Sequence, residues 1–298
     1  MRKLILLSIK FHTRWLAIII AALFWTTMAQ AQPFLWNLDA VGTWDTTSAN
    51  WLQGGTPINY SSTATSSAVF GGVVTANRTI AIQSGGITAG TLTFENTGPF
   101  AYTIGTIGNT LMLDNGFADA AITVGRGTIG SVNYAGIGGN TIAVSPVVFA
   151  SNLVINNYGA FGTTNLTIAS TIDRSVAGGM ITVGGQGNTA ISGAIGATVT
   201  GGLIKTGIGT LNLSSNSNAF SGGITINGGV LAVNTSNDSV FGAATNGITL
   251  ASAATLRFAV VPGALTRTIT VTGVAATPSG IEIVEGGTLS LVGHLTRP

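Results

Sequence analysis

Between residues 80 and 291 the chain repeats one small pattern. Two apolar residues flank a Thr, Ala, Asn or charged residue, as in Ile80-Ala81-Ile82, Tyr102-Thr103-Ile104, Leu111-Met112-Leu113, Ile122-Thr123-Val124 and Ile142-Ala143-Val144. It continues through Leu166-Thr167-Ile168, Ile181-Thr182-Val183, Leu211-Asn212-Leu213, Ile224-Thr225-Ile226, Leu256-Arg257-Phe258 and Ile281-Glu282-Ile283 to Leu289-Ser290-Leu291. A period of two over so few residues is the mark of a strand with one buried face. Many starts lie roughly 8 to 15 residues apart, with Gly, Asn and Ser gathered between them as turn signals. Beyond residue 32 no window sustains the 3.6-residue period of a helix. The pattern predicts an all-β protein.

Three all-β arrangements compete. A sandwich closes near 100 residues, whereas this series runs on for more than twice that without a break in composition. A propeller repeats a blade signature about every 40 residues, and none recurs here. A solenoid needs short strands, Gly- and Asn-rich corners, and a core made by stacking incomplete units. The pattern fits the last. With roughly 25 residues per coil it predicts about ten coils, each paired to its neighbours at about 4.8 Å, giving a rod of order 45 Å.

Composition agrees. Only 7% of the 298 residues are charged, 43 are Gly and none is Cys, so stability rests on burial and backbone pairing instead of disulfides. The sequence pI of about 9.2 comes from the N-terminus. Arg2, Lys3, Lys10 and Arg14 surround the start of the apolar run LAIIIAALFW (residues 16–25), and AQA follows at 29–31. Those are the three parts of a secretory signal peptide, with cleavage expected between Ala31 and Gln32. Its removal takes four of the eleven basic residues and leaves seven against nine acids, a formal charge of −2. No basic patch remains to neutralise phosphates, which argues against nucleic acid as a partner. The expected organisation is a signal peptide over 1–31, an aromatic-rich cap and first coils over 32–75, and a β-helix over 76–298.

One stretch carries a resemblance. Residues 190–233, AISGAIGATVTGGLIKTGIGTLNLSSNSNAFSGGITINGGVLAV, contain Lys205-Thr206-Gly207-Ile208-Gly209-Thr210-Leu211, then Phe220-Ser221-Gly222-Gly223, then Gly229-Val230-Leu231. This resembles the autotransporter-associated β-strand repeat of secreted bacterial passenger proteins, written as a K-x-G-x-G-T-L strand, an aromatic-x-G-G corner and a G-x-L strand. Residues 239–258 look like a degenerate continuation, and residues 36–51 are similar to the starts of large secreted proteins built from such repeats. The resemblance implies a right-handed parallel β-helix, exported to the surface or surroundings of a Gram-negative-type bacterium, with no catalytic residues and no cofactor. Such proteins usually end in an outer-membrane barrel or a sorting helix. Here LSLVGHLTRP keeps the strand pattern, which leaves three alternatives: a fragment, a truncated frame, or a protein released without an anchor. Membrane contact is then expected only through the signal peptide or a missing C-terminal anchor.

Candidate chemistry is sparse. His294 is the one histidine outside the N-terminal segment, and no G-x-S-x-G elbow occurs. GRGTIG at 125–130 has the letters of a dinucleotide loop but lacks the helix that must follow it. GGQGNTAIS from Gly184 has Thr189 where a calcium-binding repeat supplies Asp. Asp114 and Asp119 fall in a turn, and Asp173-Arg174 reads as a surface pair. No catalytic or metal site is assigned, and a polysaccharide lyase or hydrolase is the least favoured reading. The most conspicuous local feature is aromatic: Trp36, Trp44 and Trp51 lie within 16 residues. Either they cover the open end of the core or they form a sugar-stacking platform. The expected function is non-enzymatic: a surface segment that is structural, or adhesive through many weak contacts to glycans, other cells or copies of itself. The alternative is a glycan-binding module on the three tryptophans.

Overall fold

The computed structural model describes residues 32–298 apart from 38, 106–107, 126–137, 261–263, 273–278, 285–288, 291–292, 294 and 298. The expected signal peptide with Ala31, most of the GRGTIG stretch, and His294 lie outside the described residues; Gln32 is exposed at their start.

The alternating runs become strands stacked in parallel into three sheets, of 13, 10 and 4 strands. Each short strand turns its flanking aliphatics inward, and constant register brings them into columns. In the longest sheet one column passes from Leu92 through Ile122, Ile155 and Val183 to Lys205, Ile226 and Leu250. In the ten-stranded sheet Ile80, Ile104, Ile142, Ile168, Ile191, Leu213, Val233 and Phe258 stack likewise. Nearly all of these side chains are 2% exposed or less. The strands form because only the inward face needs burial, and each coil closes the backbone hydrogen bonds of the next.

Corners demand glycine where backbone and backbone meet. Gly185 has φ of 99°, and a Cβ there would stand 1.9 Å from the carbonyl oxygen of Asn157 in the preceding coil. Buried asparagines hold other corners. Asn246 donates to the carbonyls of Phe220 and Phe241, and Asn218 accepts from Ile195 N–H while donating to Val240 O.

The solenoid has about 8 turns, slightly fewer than the ten expected. Eight regular coils run between strands Ser67–Val73 and Ala254–Phe258. Beyond Phe258 the strands Ile269–Val271, Gly280–Ile283 and Leu295–Thr296 continue the stack, and at the start the chain spends its first strands on a different structure. Strand Phe34–Trp36 pairs in parallel with Ser67–Val73 on one side and antiparallel with Trp51–Gln53 on the other. A hairpin then folds back from Trp51–Gln53 to Thr56–Ile58 through Gly54 and Gly55, whose φ of 58° and 83° suit a two-residue turn of the primed type. The outermost strand carries Pro57, which cannot donate to a further strand. The third sheet's first strand, Ile87–Ala89, is closed by side chains: Thr88 N–H donates to Ser62 Oγ and Thr88 O accepts from Tyr60 OH. Two of the three sheets are thus guarded against edge pairing at this end.

Candidate functional site: an aromatic cap and the cleft beside it

Beneath the first regular coil lies a cluster of large rings. Trp44 and Trp51 are 0% exposed and Trp36 is 6% exposed. Ring centroids of Trp51 stand 5.1 Å from Trp36, 5.3 Å from Trp44, 5.0 Å from Tyr60 and 5.3 Å from Phe70. Several pairs are edge to face, including Trp44 with Tyr60 at 88°, an arrangement that sets positive ring edges against negative ring faces. Phe70 passes the stack on to Phe94 and Tyr102. The order follows from the sequence. The strand phase sends Phe34 and Trp36 inward, the hairpin register sets Trp51 opposite Trp36, and Trp44 enters from the ten-stranded side.

The three tryptophans are therefore brought together as an apolar lid on the core. Their indole nitrogens are buried and make no hydrogen bond. The packing gives a sugar no broad indole face, and only Trp36 reaches a cleft. That cleft, of about 200 Å³, has Trp36, Asn37 and Asp39 on one side, and Gly71, Gly72, Val73 and Tyr102 on the other. It exists because two strands part company. Phe34–Trp36 keeps register with Ser67–Val73 only at Ala68 and Val69, while Ser67–Val73 stays paired on its far side as far as Thr97. At the rim, Asp39 accepts from Arg78 Nε at 2.8 Å and from Thr75 Oγ1 at 2.6 Å. The Arg78 bond, then the Thr75 bonds, hold its carboxyl down to about 2. Tyr102 spends its hydroxyl on Gly71 O at 3.1 Å, and burial pushes its pKa up to about 12.

Two buried cations are structural in geometry. Lys205 occupies an inward position between Val183 and Ile226, is 2% exposed, and donates to Thr206 O, to Gly207 O at 3.0 Å and to Gly228 O at 3.3 Å. Burial among aliphatics pushes its pKa down to about 8. It heads the K-x-G-x-G-T-L strand of the repeat, and the phase it shares with Leu203 turns it inward. Arg267, 3% exposed, pairs with Asp238 at 3.0 Å and donates to the carbonyls of Asp238 and Gly242, each at 2.9 Å, while lying over the Phe241 ring. It fastens the short 3₁₀ helix Asp238–Phe241 to a later coil.

The remaining candidates disperse. Asp114 caps its own turn by accepting from Gly116 N–H. Asp173 and Arg174 do not act as the expected surface pair: the guanidinium donates to Ser151 O and Ala177 O, while Asp173 takes the Thr198 hydroxyl. Glu282 pairs with Arg257 at 2.7 Å. Among the described residues no three His, Cys, Asp or Glu side chains gather.

Compared with known families, residues 203–233 match the passenger-associated-transport-repeat. That segment is the one holding Lys205 and its carbonyl cradle. No curated protein and no solved structure matches the chain.

Proposed function

We propose that this chain is an exported, non-enzymatic passenger segment: a β-solenoid that presents a long, weakly charged face at or beyond the surface of a Gram-negative-type cell. The passenger repeat at 203–233 and the solenoid fold support a structural passenger role. Adhesion through many weak contacts is the finer part of the reading, and one observation carries it. On the outer face of the ten-stranded sheet, Thr79, Thr103, Thr141 and Thr167 stand in one register column. Among the described residues none of their hydroxyls meets a hydrogen-bond partner, unlike Ser67 and Thr91 or Thr270 and Thr296, which bond to each other. The column continues through Ala190, Asn212 and Ala232 before a charged residue, Arg257, appears. Rows of free hydroxyls at strand spacing offer a repetitive partner several weak hydrogen bonds at once, and linked weak contacts multiply. Glycans, neighbouring cells and further copies of the chain are the partners of that chemistry.

The test is a glycan array together with a cell-settling assay on the full-length protein. Binding or aggregation that is lost when Thr103 and Thr141 are both replaced by Lys is the expected result. Neither binding nor aggregation by the parent protein would sink the adhesive reading.

A further inference from the structure

We propose that the cleft beside Trp36 is a binding site for one neutral pyranose ring, the terminal sugar of a glycan. This deepens the glycan arm of the reading above, and it is decided by monosaccharide binding, not by adhesion of cells.

The cleft's size selects the ligand. At about 200 Å³ it falls below the range that encloses drug-sized molecules and leaves room for a single small ring. Its floor is open because Gly72, with φ of 84°, has nothing within 4 Å of where a Cβ would stand. A pyranose needs an apolar surface for its C–H groups and directional partners for its hydroxyls. Val73, 73% exposed, and the adjoining aromatic edges supply the first.

The polar groups supply the second. Trp36 lines the cleft with little of its ring exposed, and its indole N–H is buried beyond a ligand's reach, so the directional partners are Asn37 and Asp39. Asn37 is exposed, and among the described residues its side-chain amide meets no partner, so it offers both a donor and an acceptor. Asp39 is already oriented by Arg78 and Thr75. Its carboxylate accepts sugar hydroxyls, and among the described residues no cation lines the cleft to favour an acidic sugar, so the class is neutral.

This arrangement also explains how three tryptophans serve one site unequally. Trp44 and Trp51 seal the core, and Trp36 alone joins that seal to the surface.

The test is saturation-transfer NMR on the full-length protein with the methyl glycosides of glucose, galactose, mannose and N-acetylglucosamine, and with methyl glucuronide as the acidic control. At least one neutral glycoside should bind with Kd on the order of 1 mM. Asn37→Ala should weaken it at least tenfold with circular dichroism unchanged, because the Asn37 backbone N–H keeps its bond to Asn50 O. Val73→Trp, which fills the mouth, should abolish it. Absence of transfer to every neutral glycoside overturns the proposal. So does an Asn37→Ala variant that binds as the parent does, or a glucuronide that binds as tightly as the neutral sugars.

Discussion

Replacing Trp51 by Ala removes the ring at the centre of the cap. Trp51 is 0% exposed and lies within 5.3 Å of four other rings, with Phe34 a fifth at 6.5 Å. A buried Trp→Ala change costs about 3–5 kcal/mol. The Trp51 indole N–H has no partner, so no hydrogen bond is lost and the cost is one of packing. In a stack where each unit touches only its neighbours, that cost stays near the site. Hydrogen exchange followed by mass spectrometry should therefore show protection falling by a factor of roughly 10² to 10³ in peptides covering residues 33–82, the upper part of the packing cost being cut off by the limited stability of the end coils. Peptides from Leu153 to Phe258 should exchange as before. The Trp51→Phe variant keeps a ring and should recover most of the protection. Uniform loss along the chain would refute a locally acting cap. A change under about twofold in the N-terminal peptides would refute the packing argument itself.

Other outcomes follow from the same geometry. Gly185→Ala drives a methyl into the Asn157 carbonyl and should lower the midpoint of thermal unfolding steeply, whereas Gly72→Ala meets no atom and should cost only its backbone strain, about 1 kcal/mol. Arg267→Ala strands the Asp238 carboxylate and the carbonyls of Asp238, Gly242, Ala243 and Asn246, an expected loss of about 3–5 kcal/mol in urea unfolding; Arg267→Lys should rescue little, because a single ammonium cannot reproduce the guanidinium fork. For Lys205 the folded pKa of about 8 lies below the ordinary 10.5. Between those values the unfolded chain holds more protons, so stability should rise with pH by up to about 1.4 kcal/mol per unit. The rise should be read between pH 8 and 9, below the range in which Tyr60 and Tyr102, both shifted upward in the fold, titrate in the unfolded chain and reverse the slope. Lys205→Met should flatten the rise, and an unchanged slope in that variant would assign the effect elsewhere.

The strands were legible because each has one buried face, and a period of two is visible in as few as three residues. The sheet with only four strands was harder. Ile172-Asp173-Arg174 has an inward residue at one end only, so alternation carries no signal there. The cap hairpin left a local mark in Gly54-Gly55, but its antiparallel seat on Phe34–Trp36 is a tertiary choice that no spacing announces. The tryptophans were visible as a cluster, and their inward direction was not. That direction depends on Trp51 falling opposite Trp36 across the sheet. The cleft was beyond sequence reading altogether. Asn37 and Tyr102 meet across 65 positions only because the second coil stacks on the first.

The central claim, an exported passenger-type solenoid, is tested most directly on intact cells of the native host. An antibody raised to residues 32–298 should label unpermeabilised cells or their medium. External protease should remove the cell-bound signal, and the N-terminus of the recovered protein should begin at Gln32. Antigen detected only after lysis, still carrying Met1 and the basic N-terminal segment, would contradict the account.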